Sequence, residues 1–244
     1  MKVRLTPASI ALIILTLLIP FDIVFAQGEY LQPGQSGYSV SGSVSVSNHA
    51  SAMGLSAGYS YLALIDLSVG LARIRPDDDG DSEGELTAGA VILGSAVHLA
   101  RQSPCGPPLS LSVQFGIQKD YWSSEMPVHP EGYALWLGTN FTREMHLSRT
   151  HRSANYIGLR WVQQSVSTRY AETVGVDPRQ SRLLVTLGSA VALVTGQVDK
   201  RRISYASSQL VIDPSLTFDT RDGSREFALN ISLLIGHEPP HTRW

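Results

Sequence analysis

Two His-x-Ser pairs and one acidic run are the places where residue type and spacing could do chemistry. His49-Ala50-Ser51 and His151-Arg152-Ser153 each set an imidazole two residues from a hydroxyl. That spacing puts both on one face of a strand, and Asn155 extends the second pair along the same face. A base beside a hydroxyl is the raw material of nucleophilic catalysis. However, seven His in a chain where about one residue in eight is Ser make nearly one such pair by chance, and no catalysis is expected. The acidic run is Pro76-Asp77-Asp78-Asp79-Gly80-Asp81-Ser82-Glu83-Gly84-Glu85. Its carboxylates could hold calcium, yet Ser82 stands where a calcium-loop glycine would fall if Asp77, Asp79 and Asp81 were ligands. The expectation is a solvated loop. No His or Cys grouping has metal-site spacing and no Gly-rich loop opens a helix pattern, so no metal or cofactor is expected. Cys105, in Ser103-Pro104-Cys105-Gly106-Pro107-Pro108, has no partner for an internal disulfide.

The chain opens with Lys2 and Arg4, runs through an apolar stretch from Ile10 to Ile19, and reaches Val24-Phe25-Ala26 before Gln27. A charged start, a short apolar run and a small-residue site read as a secretory signal peptide over residues 1 to 26. A membrane-spanning helix would need about twice that apolar length. Removing the segment takes away Lys2, Arg4 and Asp22 and leaves 17 basic against 20 acidic residues, a balance that argues against nucleic acid as a partner. Charged residues are 16% of the chain, well below a soluble domain's usual share of about a quarter. No Pro- or Ser-rich linker divides the rest, which reads as one β domain over residues 38 to 236 between a lead (27 to 37) and a tail (237 to 244).

Periodicity supplies the architecture. Ser39, Ser41, Ser43, Ser45 and Ser47 alternate with Tyr38, Val40, Val44 and Val46. The next run sets Met53, Leu55, Ala57, Tyr59 and Tyr61 against Gly54, Ser56, Gly58 and Ser60, and a third sets Ile65, Leu67, Val69 and Leu71 against Asp66, Ser68, Gly70 and Ala72. Period-two alternation with short gaps at Asn48 to Ser51 and Leu62 to Ala63 predicts successive hairpins. The pattern resumes at Leu109 to Gln118 and Tyr133 to Phe141, and further strands fit residues 85 to 100, 154 to 165, 181 to 194, 205 to 218 and 226 to 235. About ten strands result, with eight or twelve also compatible. Val91-Ile92-Leu93 breaks the alternation and suggests a bulge, and Pro214 should interrupt a ladder.

A soluble β-sandwich also alternates, so a secreted binding protein is one alternative. Its wet face, though, is usually rich in Lys, Glu, Arg and Thr, whereas here the polar set is Ser, Gly, Ala and Gln, which suits a confined interior. Aromatics at predicted strand ends, Tyr38, Tyr59, Tyr61, Tyr133, Phe141 and Phe227, would form interfacial girdles. Together with the opening hairpins from Gly37 to Ile74, these features make the chain resemble the small bacterial outer-membrane β-barrel proteins. The resemblance implies an all-β, antiparallel up-and-down transmembrane barrel in the cell outer membrane, with lipid and the barrel-assembly machinery as contacts. Such proteins usually finish on a strand with a terminal aromatic; Trp244 is aromatic, but Glu238-Pro239-Pro240 before it cannot be a ladder strand.

With both termini on the periplasmic side, external loops fall near residues 48 to 52, 74 to 84, 119 to 131, 166 to 179 and 219 to 225. The expected lumen lining includes Ser41, Ser43, Ser56, Asp66, Gln114, Trp136 and Arg160, with Trp136 as a constriction and with Asp66 and Arg160 having to pair or stay hydrated. Ser and Gly on the first three strands leave room for a narrow path for ions or small solutes; a filled lumen would make the barrel structural. Some outer-membrane lipid hydrolases resemble this chain in size and use a His-x-Ser pair, with His as base, Ser as nucleophile and Asn orienting the imidazole. Neither pair here is followed by the Asn-Gly of those enzymes.

Overall fold

The computed structural model describes residues 30–31, 34–48, 50–76, 87–102, 105–123, 132–146, 151–167, 177–194 and 208–237. Residues 1–26, expected to be a signal peptide, lie outside these, as do the acidic run from Asp77, His49 and residues 238–244. Ten strands follow one another: β1 (Ser36–Ser47), β2 (Ala50–Tyr61), β3 (Ile65–Pro76), β4 (Thr87–Ala100), β5 (Ser110–Ser123), β6 (Gly132–His146), β7 (His151–Val166), β8 (Arg179–Val194), β9 (Ser208–Asp219) and β10 (Arg225–His237). Each pairs antiparallel with the next, and β1 pairs with β10 over its whole length, which closes the sheet into a barrel. Closure removes both edges of the sheet.

Alternation explains the choice of strand throughout. On β10 the inward series Glu226, Ala228, Asn230, Ser232 and Leu234 is buried, and the outward series Phe227, Ile231, Leu233 and Ile235 is exposed. A one-residue slip would exchange the two faces, so the register is strongly specified.

Three local expectations change. Val91-Ile92-Leu93 forms no bulge: all three pair in register with β3 and β5, and the irregularity falls instead at His98/Ala100. The alternation breaks there because Ile92, 1% exposed, is an apolar residue pointing into the lumen. Phe141 is mid-strand in β6 rather than at an end. Pro214 interrupts one ladder only. Pairing of β9 with β8 lapses between Ser215 and Ile212, whereas pairing with β10 runs straight through Pro214↔Leu229. A residue without an N–H can be tolerated where one side alone supplies the ladder.

The β2–β3 hairpin turns on Leu62 and Ala63, both left-handed with φ of 53° and 56°. Side chains rarely adopt this, at a cost on the order of 1 kcal/mol or more each. Neighbours hold it: the Leu62 amide donates to Ser36 Oγ at 3.0 Å and the Leu62 carbonyl accepts from the Gly34 amide at 3.2 Å. The N-terminal segment therefore belongs to the fold. Tyr30 and Leu31 enter the barrel end that carries the termini and pack with Ala63, Ala154, Ala190, Ala192, Val211 and Leu234. Arg101 Nη2 donates to the Leu31 carbonyl at 2.6 Å, and Gln209 Nε2 to the Tyr30 carbonyl at 2.9 Å.

Candidate functional site: the lumen and the outer wall

The lumen divides into layers. In the half away from the termini an apolar cluster joins Ala50, Ala52, Ile74, Ala90, Ile92, Ala134, Val162 and Leu184, with Trp136 among them. Trp136 is 6% exposed, and its indole lies where a Cβ on Gly116 would be, so the glycine is the socket that lets the ring lie against the wall. Tyr156 uses Gly188 in the same way. Its hydroxyl donates to Asp213, 3.0 Å from Oδ1 and 3.2 Å from Oδ2.

Polar groups flank this layer and bond to one another. Toward the termini, His98 Nε2 lies 2.9 Å from Asp66 Oδ2, with both side chains buried. Across the closing seam, Ser232 Oγ donates to Ser41 Oγ at 2.7 Å. Toward the far end, Gln118 Nε2 donates to Asp120 Oδ1 at 2.7 Å, and Arg182 Nη1 meets Asp219 Oδ2 at 3.2 Å. A charge in an enclosed interior needs such partners. Asp219 also orders the β9–β10 turn, accepting from the Arg221 amide, and Asp222 accepts from the Ser224 amide. Partial burial pushes the Asp222 carboxyl up, but the Ser224 hydrogen bonds and the Arg182 guanidinium outweigh it and hold the group below the usual carboxylate range.

The lining residues expected from the sequence are placed as follows. Ser41, Asp66, Gln114 and Trp136 are buried on inward positions, and Ser43, Ser56 and Arg160 are half-buried on the same parity. Asp66 has His98 as a partner, which spacing did not reveal because the two lie on different strands. Around Ser41, Ser43, Ser56 and Asn230 the small side chains leave a cavity of about 10 Å³, room for about one water. Of the His-x-Ser candidates, Ser51 is half-buried at the far end of β2. In the second pair His151 is exposed, Ser153 is buried, and the Asn155 amide oxygen accepts from Ser189 Oγ at 2.7 Å. Among the described residues no group of three or more His, Cys, Asp or Glu could hold a metal ion.

The outer wall is the reverse of the lumen. Val40, Leu55 and Leu71 are 63%, 70% and 62% exposed, and similar side chains continue around the barrel. In water each would forgo the roughly 1.5–3 kcal/mol that burial of such a side chain gives. Inward polar and outward apolar faces on a closed antiparallel sheet define the class: a ten-stranded up-and-down β-barrel turned inside out relative to a water-soluble one.

No protein-family model matches this sequence, and no curated protein is significantly similar to it. Among solved structures it is similar to neisserial surface protein A, at 10% identity over 82% of this chain and 95% of that one, with a TM-score of 0.32. The β domain of the Bordetella autotransporter BrkA gives 11% identity over 85% and 100% with a TM-score of 0.44. The outer membrane protease OmpT of Escherichia coli gives 8% over 86% and 98% with a TM-score of 0.34. The barrel assignment rests on the strand pairing itself.

Proposed function

We propose that the protein is a closed-lumen barrel of the bacterial outer membrane, exported by its N-terminal signal segment, that acts as a wall and a platform for its connecting loops rather than by catalysis. The observation that carries this reading is the packed layer of Ile74, Ile92, Trp136, Val162 and Leu184 inside an apolar-walled barrel. Strands of 12 to 16 residues exceed the roughly 9–11 needed to cross a bilayer. With the termini on the periplasmic side, the ends of β3, β5 and β7 away from the termini face outward. The test is refolding in detergent, heat-modifiable gel migration, and conductance in a planar bilayer. A band that shifts on boiling without current steps is expected, and discrete steps would overturn the closed lumen.

A second reading is a narrow water path for ions, favoured by the cavity at Ser41, Ser43 and Ser56. Steps abolished by Ser43→Leu would establish it.

A further inference from the structure

The inward face of the strands carries charges of both signs, among them Arg160 and Arg182, whereas the outward face carries one. Every acidic residue of the described strands has inward parity: Asp66, Asp120, Glu144, Asp213, Asp219 and Glu226. Every outward charged residue of those described strands is basic: Arg73, Arg75, Lys119, Arg143, Arg179 and Arg225. All but Arg143 lie at the end away from the termini. A surface facing water or neutral headgroups gains nothing from one sign and normally mixes both. A single sign at one rim of an apolar wall matches an anionic layer at that level.

Three of these groups sit on β3 and β5, either side of β4. Arg73 is in register with Gly89, and Gly89 with Tyr121; one step below, Leu71 is in register with Val91, and Val91 with Lys119. A Cβ on Gly89 would meet only backbone oxygens, at 3.8 and 3.9 Å, so the middle strand leaves a shallow gap between Arg73 and Tyr121, with Lys119 one step below on β5. Two strand spacings separate Arg73 from the Lys119 strand by roughly 10 Å. Lys119 Nζ stands 5.1 Å over the Tyr121 ring. Arg75 continues the series one step beyond Arg73, and Leu71, Leu93 and Ile117 form an exposed apolar wall beneath.

We propose that Arg73, Arg75 and Lys119 form a binding site for the phosphorylated headgroup of a membrane lipid in the leaflet at this rim, its acyl chains lying along the wall below. Guanidinium groups match phosphate oxygens in bidentate geometry, and lysine adds a point charge. The site rests on the outer-membrane reading and gives it a direction: the leaflet at the end away from the termini is the more phosphate-rich one.

The test is native mass spectrometry of the detergent-solubilised barrel with equal amounts of bisphosphorylated lipid A and phosphatidylcholine. Wild type should retain lipid A selectively, Arg73→Gln/Arg75→Gln/Lys119→Gln should lose at least about tenfold of that retention, and Arg143→Gln at the other rim should lose none. Equal retention of both lipids by wild type, or undiminished lipid A on the triple variant, would overturn the site. So would displacement by inorganic phosphate at matched concentration, which would mark a pocket for the free ion. If the triple variant does not fold, wild type decides alone: retention must fall as salt rises from about 0.05 to about 0.5 M, and salt-independent retention overturns the proposal. Failure of the outer-membrane reading appears separately, as wild-type protein whose gel migration does not change on boiling.

Discussion

Across the lumen, the arc of β1, β2 and β3 offers mostly Ser, Gly and Ala to the interior, whereas β6 to β8 offer Trp136, Tyr156, Arg160, Val162 and Leu184. The small arc leaves a cavity about the size of one water, and the large arc puts Trp136, Val162 and Leu184 into a packed apolar layer. Uniformly small residues would leave a channel through a ten-stranded barrel, and uniformly large ones would prevent closure. Inward serines read alone therefore say little about whether a lumen is open. What matters is the residue on the strand opposite.

Replacing the glycine socket should break the large arc most severely. In Gly116→Val the new side chain would meet the Trp136 indole and, at 2.6 Å, the Leu93 carbonyl oxygen, which is backbone and cannot swing away. The expected result is a loss of about 3 kcal/mol or more and no heat-modifiable band after refolding. Trp136→Ala removes the largest filler instead. It should cost about 3–5 kcal/mol in denaturant unfolding and produce current steps in a bilayer that wild type lacks. Tyr156→Phe keeps the ring but takes the hydroxyl from Asp213, for about 1–3 kcal/mol; an unchanged unfolding midpoint would show that Asp213 does not depend on it. On the small arc, Ser43→Val points into the cavity and should shift stability by less than about 1 kcal/mol. A loss there as large as at Trp136 would erase the distinction between the arcs.

Much of the fold was legible because a half-buried sheet writes its register into alternate residues. The first three strands, with their uninterrupted Ser and Gly series, show this most clearly. The pattern misled where an inward residue is itself apolar. Ile92 looked like a bulge but is an inward apolar residue on a regular strand. The Asp66–His98 pair was unreadable because nothing in a sequence aligns residues on adjacent strands until the register is known. The rim of basic residues was written in the sequence as plainly as the serines. It became visible only once the acidic residues were seen to share the opposite face.

Leu31 carries one more consequence. Its side chain lies against Gly37 and Gly236, near enough that a Cβ on either would stand about 3.0–3.1 Å from its methyl carbons. Those glycines are partners in the β1–β10 register, the first strand meeting the last. The seat for Leu31 is thus made half by each end of the chain and exists only after they have met. The expected outcome is that a dye attached near Tyr30 changes its signal only once β1 and β10 have paired, which would make it a reporter of barrel closure.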